Sequence, residues 1–436
     1  MNKTGQKLYS KAKKIILGGN MLLSKRPELT LPNFWPTYYS KAKGIFVWDL
    51  DNRKYKDMIC FVGQNILGYA DKALDSFVLK KAAKGNMTSL NCPEEVELAN
   101  QLIKLHPWSG MAKFARSGGE ANAIAIRIAR AASKKDHVAI CGYHGWHDWY
   151  LSVNLNGKDE LKNHLLPGLY PSGVPKSLKN TVHPFNYGDF NHLKRISKKY
   201  NLAAIKLEVG RSSLPDKKFL KKVRQFATKN KIILIFDECT SGFRRNLGGL
   251  HMTQKIYPDI CMFGKALGNG YAITSVIGKK SIMSKANDSF ISSTFWTERI
   301  GFLAGIKTIE LMRKIKSWKI IIKNGKYLIK KLKELAKKYH LDIKIGGLES
   351  IVFYSFKSKN NLKYKTFISQ EMLKKNYLAS NITYLTIHHK KKTIDDYIKN
   401  LDPIFSKIKL FEEKKDNVLK YLKGPVCHDT FKRLTD

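Results

Sequence analysis

The chain has 436 residues, 43% of them hydrophobic and 11% aromatic, which is enough to bury more than one core and too apolar for a disordered protein. Its 79 Lys and Arg against 35 Asp and Glu give a formal net charge of +44. The basic residues are spread along the chain without a helix-turn-helix, RNP or zinc-finger pattern, and no run approaches the ~18–20 apolar residues of a membrane span, so composition argues against specific nucleic-acid binding and against membrane insertion.

The first stretch, MNKTGQKLYSKAKKIILGGN, is basic, but its apolar run covers only Ile15 to Leu17. That is too short for a signal-peptide core, and a cytoplasmic protein is expected. Six cysteines (Cys60, Cys92, Cys141, Cys239, Cys261, Cys427) are scattered with no CxxC pair, and the first five lie in or beside apolar stretches. Neither a disulfide framework nor a structural zinc site is expected.

Residues 1–75 mix short strand-like pieces such as GIFVWDL (44–50) with a turn signal at Asp51-Asn52, and are expected to pack with a small domain. From 76 to 310, apolar runs alternate with helical patterns: HVAIC (137–141), AAIKLEV (203–209), IILIFDE (232–238) and ITSVIG (273–278). This alternation predicts an α/β large domain with a mostly parallel central sheet covered by helices. Residues 311–436 open on KSWKIIIKNGKYLIKKLKELAKKYH, in which lysines interleave with apolar residues at helical spacing, and continue through SIVFYSF (350–356). They predict a smaller C-terminal α+β domain whose lysines form a solvated face.

In such sheets chemistry gathers beyond the carboxyl ends of the strands, and four segments fall there. In ARSGGEANAIAIRIARAA (115–132), Ala121, Ile124, Ala125, Ile128 and Ala129 mark the buried face of a helix. Ser117, Gly118 and Gly119 precede that face, either as a capping box with Glu120 or as an anion site at a helix N-terminus. CGYHGWHDWY (141–150) follows a short strand, and its two glycines would let Tyr143 lie flat on a planar ligand beside His144. The spacing of His144, His147 and Asp148 is awkward for a metal, and none is expected.

IILIFDECTSGFR ends a fully apolar strand in Asp237-Glu238, where a carboxylate must be paired, hydrogen-bonded or protonated. DICMFGKALGNG runs a further apolar strand into Gly264-Lys265. A lysine shielded from water there would have its amine pKa lowered and act as a nucleophile. A planar, phosphorylated ligand with a basic ring nitrogen and an aldehyde satisfies all four segments, and pyridoxal 5′-phosphate is such a ligand.

In this order and spacing, GIFVWDLDNRKYKDM, SGGEANAIAIRIARA, GYHGWHD, FDECTSGFR and GKALGNG resemble the class III (ω-type) aminotransferases among the fold-type I pyridoxal-phosphate enzymes, and within them the glutamate-1-semialdehyde 2,1-aminomutase group. The resemblance implies that Lys265 holds the cofactor as an internal aldimine and shuttles protons. It implies that Asp237 pairs with the pyridine nitrogen, that Tyr143 stacks on the ring with His144 beside it, and that Ser117, Gly118 and Gly119 bind the phosphate. Glu208, in KLEVG, matches an active-site glutamate. Thr294, in SSTFWTER, matches a threonine that reaches the phosphate of the neighbouring subunit, so a homodimer with shared active sites is implied. Arg26 and Arg244 are the candidates for a substrate carboxylate.

The pattern departs from the family on the substrate side. Trp296-Thr297-Glu298-Arg299 stands where many members read Gly-Asn-Pro, and Glu208-Val209-Gly210 replaces Glu-Pro-Val. The resulting expectation is an aminotransferase acting on a small-molecule amino donor and a carbonyl acceptor, sugar-like or otherwise polar. An aminomutase forming 5-aminolevulinate is the alternative, and a non-enzymatic basic protein that binds polyanions is the alternative of another class.

Overall fold

A computed structural model of the protein describes residues 3–157, 160–161, 164, 169–210 and 213–429, so residues 430–436 of the expected C-terminal domain lie outside it. The chain forms two compact units, one of residues 1–71 with 319–436 and one of residues 72–318. In the first, β1 (Tyr39–Lys43), β2 (Phe46–Asp49) and β3 (Lys54–Asp57) form an antiparallel meander. The turn expected at Asp51-Asn52 joins β2 to β3. Asn52 takes a left-handed φ of 59°, which its side chain tolerates.

The second unit is built on seven strands: β4 (Met111–Ala115), β5 (His137–Cys141), β6 (Val182–Pro184), β7 (Leu202–Glu208), β8 (Ile233–Glu238), β9 (Ile260–Phe263) and β10 (Thr274–Gly278). Their order is β4-β10-β9-β8-β7-β5-β6. Pairing is parallel from β9 across to β6, and β10 alone runs against its neighbours. Every residue of β7 and β8 is buried, because helices cover both faces of a parallel sheet, and this is why these strands read as nearly unbroken apolar runs.

One face packs against the helix Gly118–Ser133. Ala121, Ile124, Ala125, Ile128 and Ala129, the predicted stripe, share a core with Val138, Ile140, Ala204, Ile235 and Met262. The parallel strands therefore deliver their carboxyl ends to one edge, where the loops after β5, β7, β8 and β9 meet.

Among the C-terminal elements, the basic stretch forms the helix Ser317–Lys338. Ile321, Leu328, Leu332 and Leu335 are buried in it while Lys323, Lys326, Lys330, Lys333 and Lys337 are exposed, as the spacing predicts. β11 (Ile343–Gly346), β12 (Ile351–Phe356) and, after β13 (Tyr377–Leu378), β14 (Ile382–Tyr384) follow. β11, β12 and β14 make an antiparallel sheet, whereas β13 extends the N-terminal meander by pairing in parallel with β3. All six cysteines are free thiols. Among the described residues, no helix is long and apolar enough to cross a membrane.

Candidate active site

Asp237 and Glu208 are register partners at the ends of β8 and β7, so their side chains leave the same face of the sheet. Asp237 is only 4% exposed, and its carboxylate is bonded from several sides. His144 Nδ1 donates to Oδ2 at 2.9 Å, the Cys239 N–H donates to Oδ1 at 3.1 Å, and Lys206 Nζ lies 3.8 Å from Oδ2. Burial pushes the Asp237 pKa up, but the Lys206 ammonium and the His144 bond outweigh it and hold the group well below the usual carboxylate range. His144 is itself fully buried, and burial followed by the Lys206 charge lowers its pKa. Since an ionised carboxylate only accepts, His144 carries a proton on Nδ1. This pairing commits His144 Nδ1 to Asp237, while His144 Nε2 and His147 Nδ1 have no hydrogen-bond partner among the described residues.

Lys265 follows Gly264 directly after β9 and is partly buried. Its φ of 42° lies in the left-handed region, a strain costing about 1–3 kcal/mol for a residue with a Cβ. Nζ donates to Thr240 Oγ1 at 2.6 Å. The Thr240 carbonyl in turn accepts from Arg244 Nε at 2.7 Å, and Arg244 is fully buried. Arg244 thus braces the residue that holds the Lys265 amine.

The loop after β5 passes over Glu208. Tyr143 N–H donates to Glu208 Oε2 at 3.1 Å, and the Tyr143 ring stands edge-on to Tyr150, 6.0 Å away at 89°. Gly142 makes this approach possible: its φ is 118°, and a Cβ there would lie 2.8 Å from Glu208 Oε2. Gly142→Ala is therefore expected to destabilise the protein by about 1–3 kcal/mol, read as a lower urea midpoint with unchanged m-value.

At the start of the helix Gly118–Ser133, the capping box is present. Glu120 Oε2 accepts from Ser117 N–H at 2.7 Å and Ser117 Oγ at 3.0 Å, while Glu120 Oε1 accepts from Trp296 Nε1 at 2.9 Å. The N–H groups of Gly118 and Gly119 have no protein acceptor among the described residues. Both readings of the motif thus coexist, with Ser117 capping and two amides left for an anion. A Cβ on Gly119 would meet His147 Cε1 at 2.7 Å, so a larger residue there would have to displace the His147 ring. Cys239 Sγ connects this turn to the lysine, lying 3.8 Å from a Cβ built on Gly118 and 3.4 Å from one built on Gly264.

Lys265, Asp237, His144, Glu208, Tyr143, Ser117, Gly118 and Gly119 thus converge at the carboxyl edge of one sheet. Thr294 does not join them in this chain: it is exposed, in the turn Thr294–Thr297. That turn is nevertheless tied to the same helix terminus, because Arg116 Nη2 donates to the Trp296 carbonyl at 3.0 Å. Arg26 belongs to the other unit, is 7% exposed, and its Nε has no hydrogen-bond partner among the described residues. Sequence reasoning missed Lys206, Thr240 and the Trp296–Glu120 bond. For Lys206 the signal was a lysine inside the apolar run AAIKLEV.

One acid-histidine-thiol cluster, Glu238, His251 and Cys261, has the proximity of a metal site. Its valences are already filled. Glu238 Oε1 accepts from His251 Nδ1 at 2.6 Å and Oε2 from Ser241 Oγ at 3.1 Å, while His251 Nε2 accepts from Trp108 Nε1 at 2.9 Å. Burial pushes the Cys261 thiol well up. The cluster is a hydrogen-bond network within the fold.

Residues 32–379 match the family model "Aminotransferase class-III". The chain belongs to the class III aminotransferases. This aminotransferase is 31% identical over 368 residues to the 3-aminobutyryl-CoA aminotransferase of Cloacimonas acidaminovorans, covering 82% of this chain and 84% of that one. It is 30% identical over 435 residues to the glutamate-1-semialdehyde 2,1-aminomutase of Wigglesworthia glossinidia brevipalpis, covering 94% and 99%. Its fold matches that of the FumI protein of Sphingopyxis sp. MTA144, solved in its PLP internal aldimine form, with a TM-score of 0.84 at 22% identity over 95% and 98% of the two chains. The fold is therefore that of the fold-type I transferases, pyridoxal phosphate is the cofactor, and amino transfer is the reaction class. The residues present fit that cofactor: an amine held at a strand end, an ionised buried carboxylate, and two unbonded amides at a helix N-terminus.

Proposed function

We propose that this aminotransferase moves an amino group between a small-molecule amino donor and a carbonyl acceptor through Lys265, with Asp237, Tyr143, His144, Glu208 and the Ser117–Gly119 turn holding the cofactor. The observation that carries this reading is the juxtaposition of the Lys265 amine and the ionised Asp237 carboxylate at the ends of adjacent strands. Pyridoxal phosphate, when bound, supplies an aldehyde for amines and a ring that takes up the electron pair left by a departing Cα proton. Lys265 Nζ, held by Thr240 when it is a free amine, would accept that proton and return it. Asp237, kept ionised by Lys206 and His144, receives the ring N–H. Tyr143 covers the ring, and the Gly118 and Gly119 amides take the phosphate. Arg26 and Arg244 are the proposed partners of a substrate carboxylate.

The assembly we propose is a homodimer. Thr294 is exposed in a segment that also exposes Phe290 by 84% and Phe295 by 66%, which is apolar surface a second copy would cover. Thr294 would then reach the phosphate in the other copy. Six free thiols support a cytoplasmic location.

The aminomutase reading is favoured by the match to the Wigglesworthia enzyme along nearly its whole length. Against it stands the Trp296–Arg299 turn, pinned by Arg116 and Glu120 where the aminomutase pattern has Gly-Asn-Pro. The two separate cleanly in an assay. An aminotransferase changes the cofactor spectrum with an amino donor alone and recovers it with a carbonyl acceptor, for which the panel includes polar aldehydes and 3-oxoacyl-CoA thioesters. An aminomutase forms 5-aminolevulinate from glutamate-1-semialdehyde with no other donor, and that result would replace the aminotransferase reading.

A further inference from the structure

Lys206 is a lysine with no exposed surface in the middle of β7, the strand between β5 and β8. Long charged side chains normally run their stems along apolar surface and keep the ammonium in water. Here the stem lies among residues of the sheet face that packs on the helix Gly118–Ser133, and Nζ ends 3.8 Å from Asp237 Oδ2 and 3.2 Å from Met262 Sδ. A thioether is a weak acceptor; burial lowers the Lys206 pKa, and among the described residues Asp237 is the nearest carboxylate and the largest influence opposing this in favour of the ammonium. Among the described residues, the other titratable groups facing Lys206 are His144 from the loop after β5, Glu208 of β7, Cys239 just after β8, and Cys261 of β9. Burial lowers the His144 pKa and raises both thiols well above their usual range.

The Asp237 carboxylate is therefore divided. Oδ2 faces His144 and Lys206, and Oδ1 accepts from the Cys239 N–H, with the Cys239 side chain also bonded to the carboxylate. We propose that Lys206 is a positioning residue for the amino-transfer reaction: a buried ammonium that shares Asp237 with the cofactor and thereby weakens the hold of Asp237 on the ring-nitrogen proton. The proposal rests on the reading that Asp237 faces the ring nitrogen. A positive charge behind the carboxylate opposes a second positive charge in front of it, so the ring gives up its proton at a lower pH than a lone aspartate would allow.

The test is a pH titration of the ring nitrogen by NMR in holoenzyme loaded with isotope-labelled pyridoxal phosphate. Lys206→Met keeps an unbranched stem and removes the charge, and its ring nitrogen should stay protonated to a pH about one unit higher. Lys206→Arg keeps a charge and should titrate near the unaltered enzyme. Lys206→Gln replaces the Met variant if that one fails to fold. Asp237→Asn is measured alongside. If it loses ring protonation while Lys206→Met titrates like the unaltered enzyme, the Asp237 reading stands and the Lys206 proposal falls. If Asp237→Asn leaves ring protonation unchanged, the Asp237 reading falls and takes the Lys206 proposal with it.

Discussion

Lys265→Ala is expected to remove amino transfer by a factor of at least about 10⁴, because the same amine is asked both to hold the cofactor and to carry the Cα proton. The fold should survive the change. Lys265 sits in a short turn after β9, and its Nζ makes a hydrogen bond to Thr240 whose loss costs about 1 kcal/mol. Lys265→Arg sharpens the comparison, since it keeps a positive charge near Thr240 but offers no amine able to join the aldehyde. Both variants should unfold in urea within about 1–2 kcal/mol of the parent. Neither should retain cofactor after borohydride treatment and denaturation, whereas the parent should carry it on the peptide containing Lys265. Borohydride-stable cofactor on another peptide of Lys265→Ala would move the attachment point, and turnover within tenfold of the parent would remove Lys265 from the chemistry.

That this one lysine stands out among the basic residues was legible because a local pattern marked it: an apolar strand, a glycine, then the amine. The same holds for Asp237 at the end of β8 and for Ser117 at a helix cap, where sequence neighbours alone carry the signal. What local pattern cannot supply is the order of strands. β7, β8 and β9 lie side by side through connections of tens of residues, and only that adjacency puts Lys206 under Asp237 and Thr240 beside Lys265. His144 shows the same limit. Its neighbours suggested a ring contact or a ligand, while its actual partner is Asp237, 93 positions away. The pairing of β13 with β3 is more distant still and joins two short polar-edged strands with no periodicity to announce it. Thr294 lies outside the cluster and is exposed in its own chain, as the proposed homodimer would require.

Asp237→Asn is expected to lower turnover by about 10²–10⁴-fold while leaving borohydride labelling of Lys265 largely intact, because the carboxylate acts on the ring and not on the attachment. Equal loss of both would count against that role. The change also alters stability, with a definite sign. The folded-state pKa of Asp237 is depressed, so its ionised form stabilises the fold above the unfolded value near ~3.9, and this contribution is lost as the pH falls through the folded value. The single variant also leaves the Lys206 ammonium buried beside a neutral amide, and breaking a buried pair from one side costs about 3–5 kcal/mol. The deficit of Asp237→Asn should therefore be largest near neutral pH and narrow once the parent begins to protonate in acid. Adding Lys206→Met to Asp237→Asn removes the second charge, and unfolding should recover much of the lost stability while turnover stays low. This double variant separates the two roles of the carboxylate. Recovery of stability without activity assigns the fold contribution to the Asp237–Lys206 pair and the catalytic contribution to the charge Asp237 presents to the ring. If activity returned together with stability, the loss in Asp237→Asn would have been structural, and some other group would have to hold the ring proton.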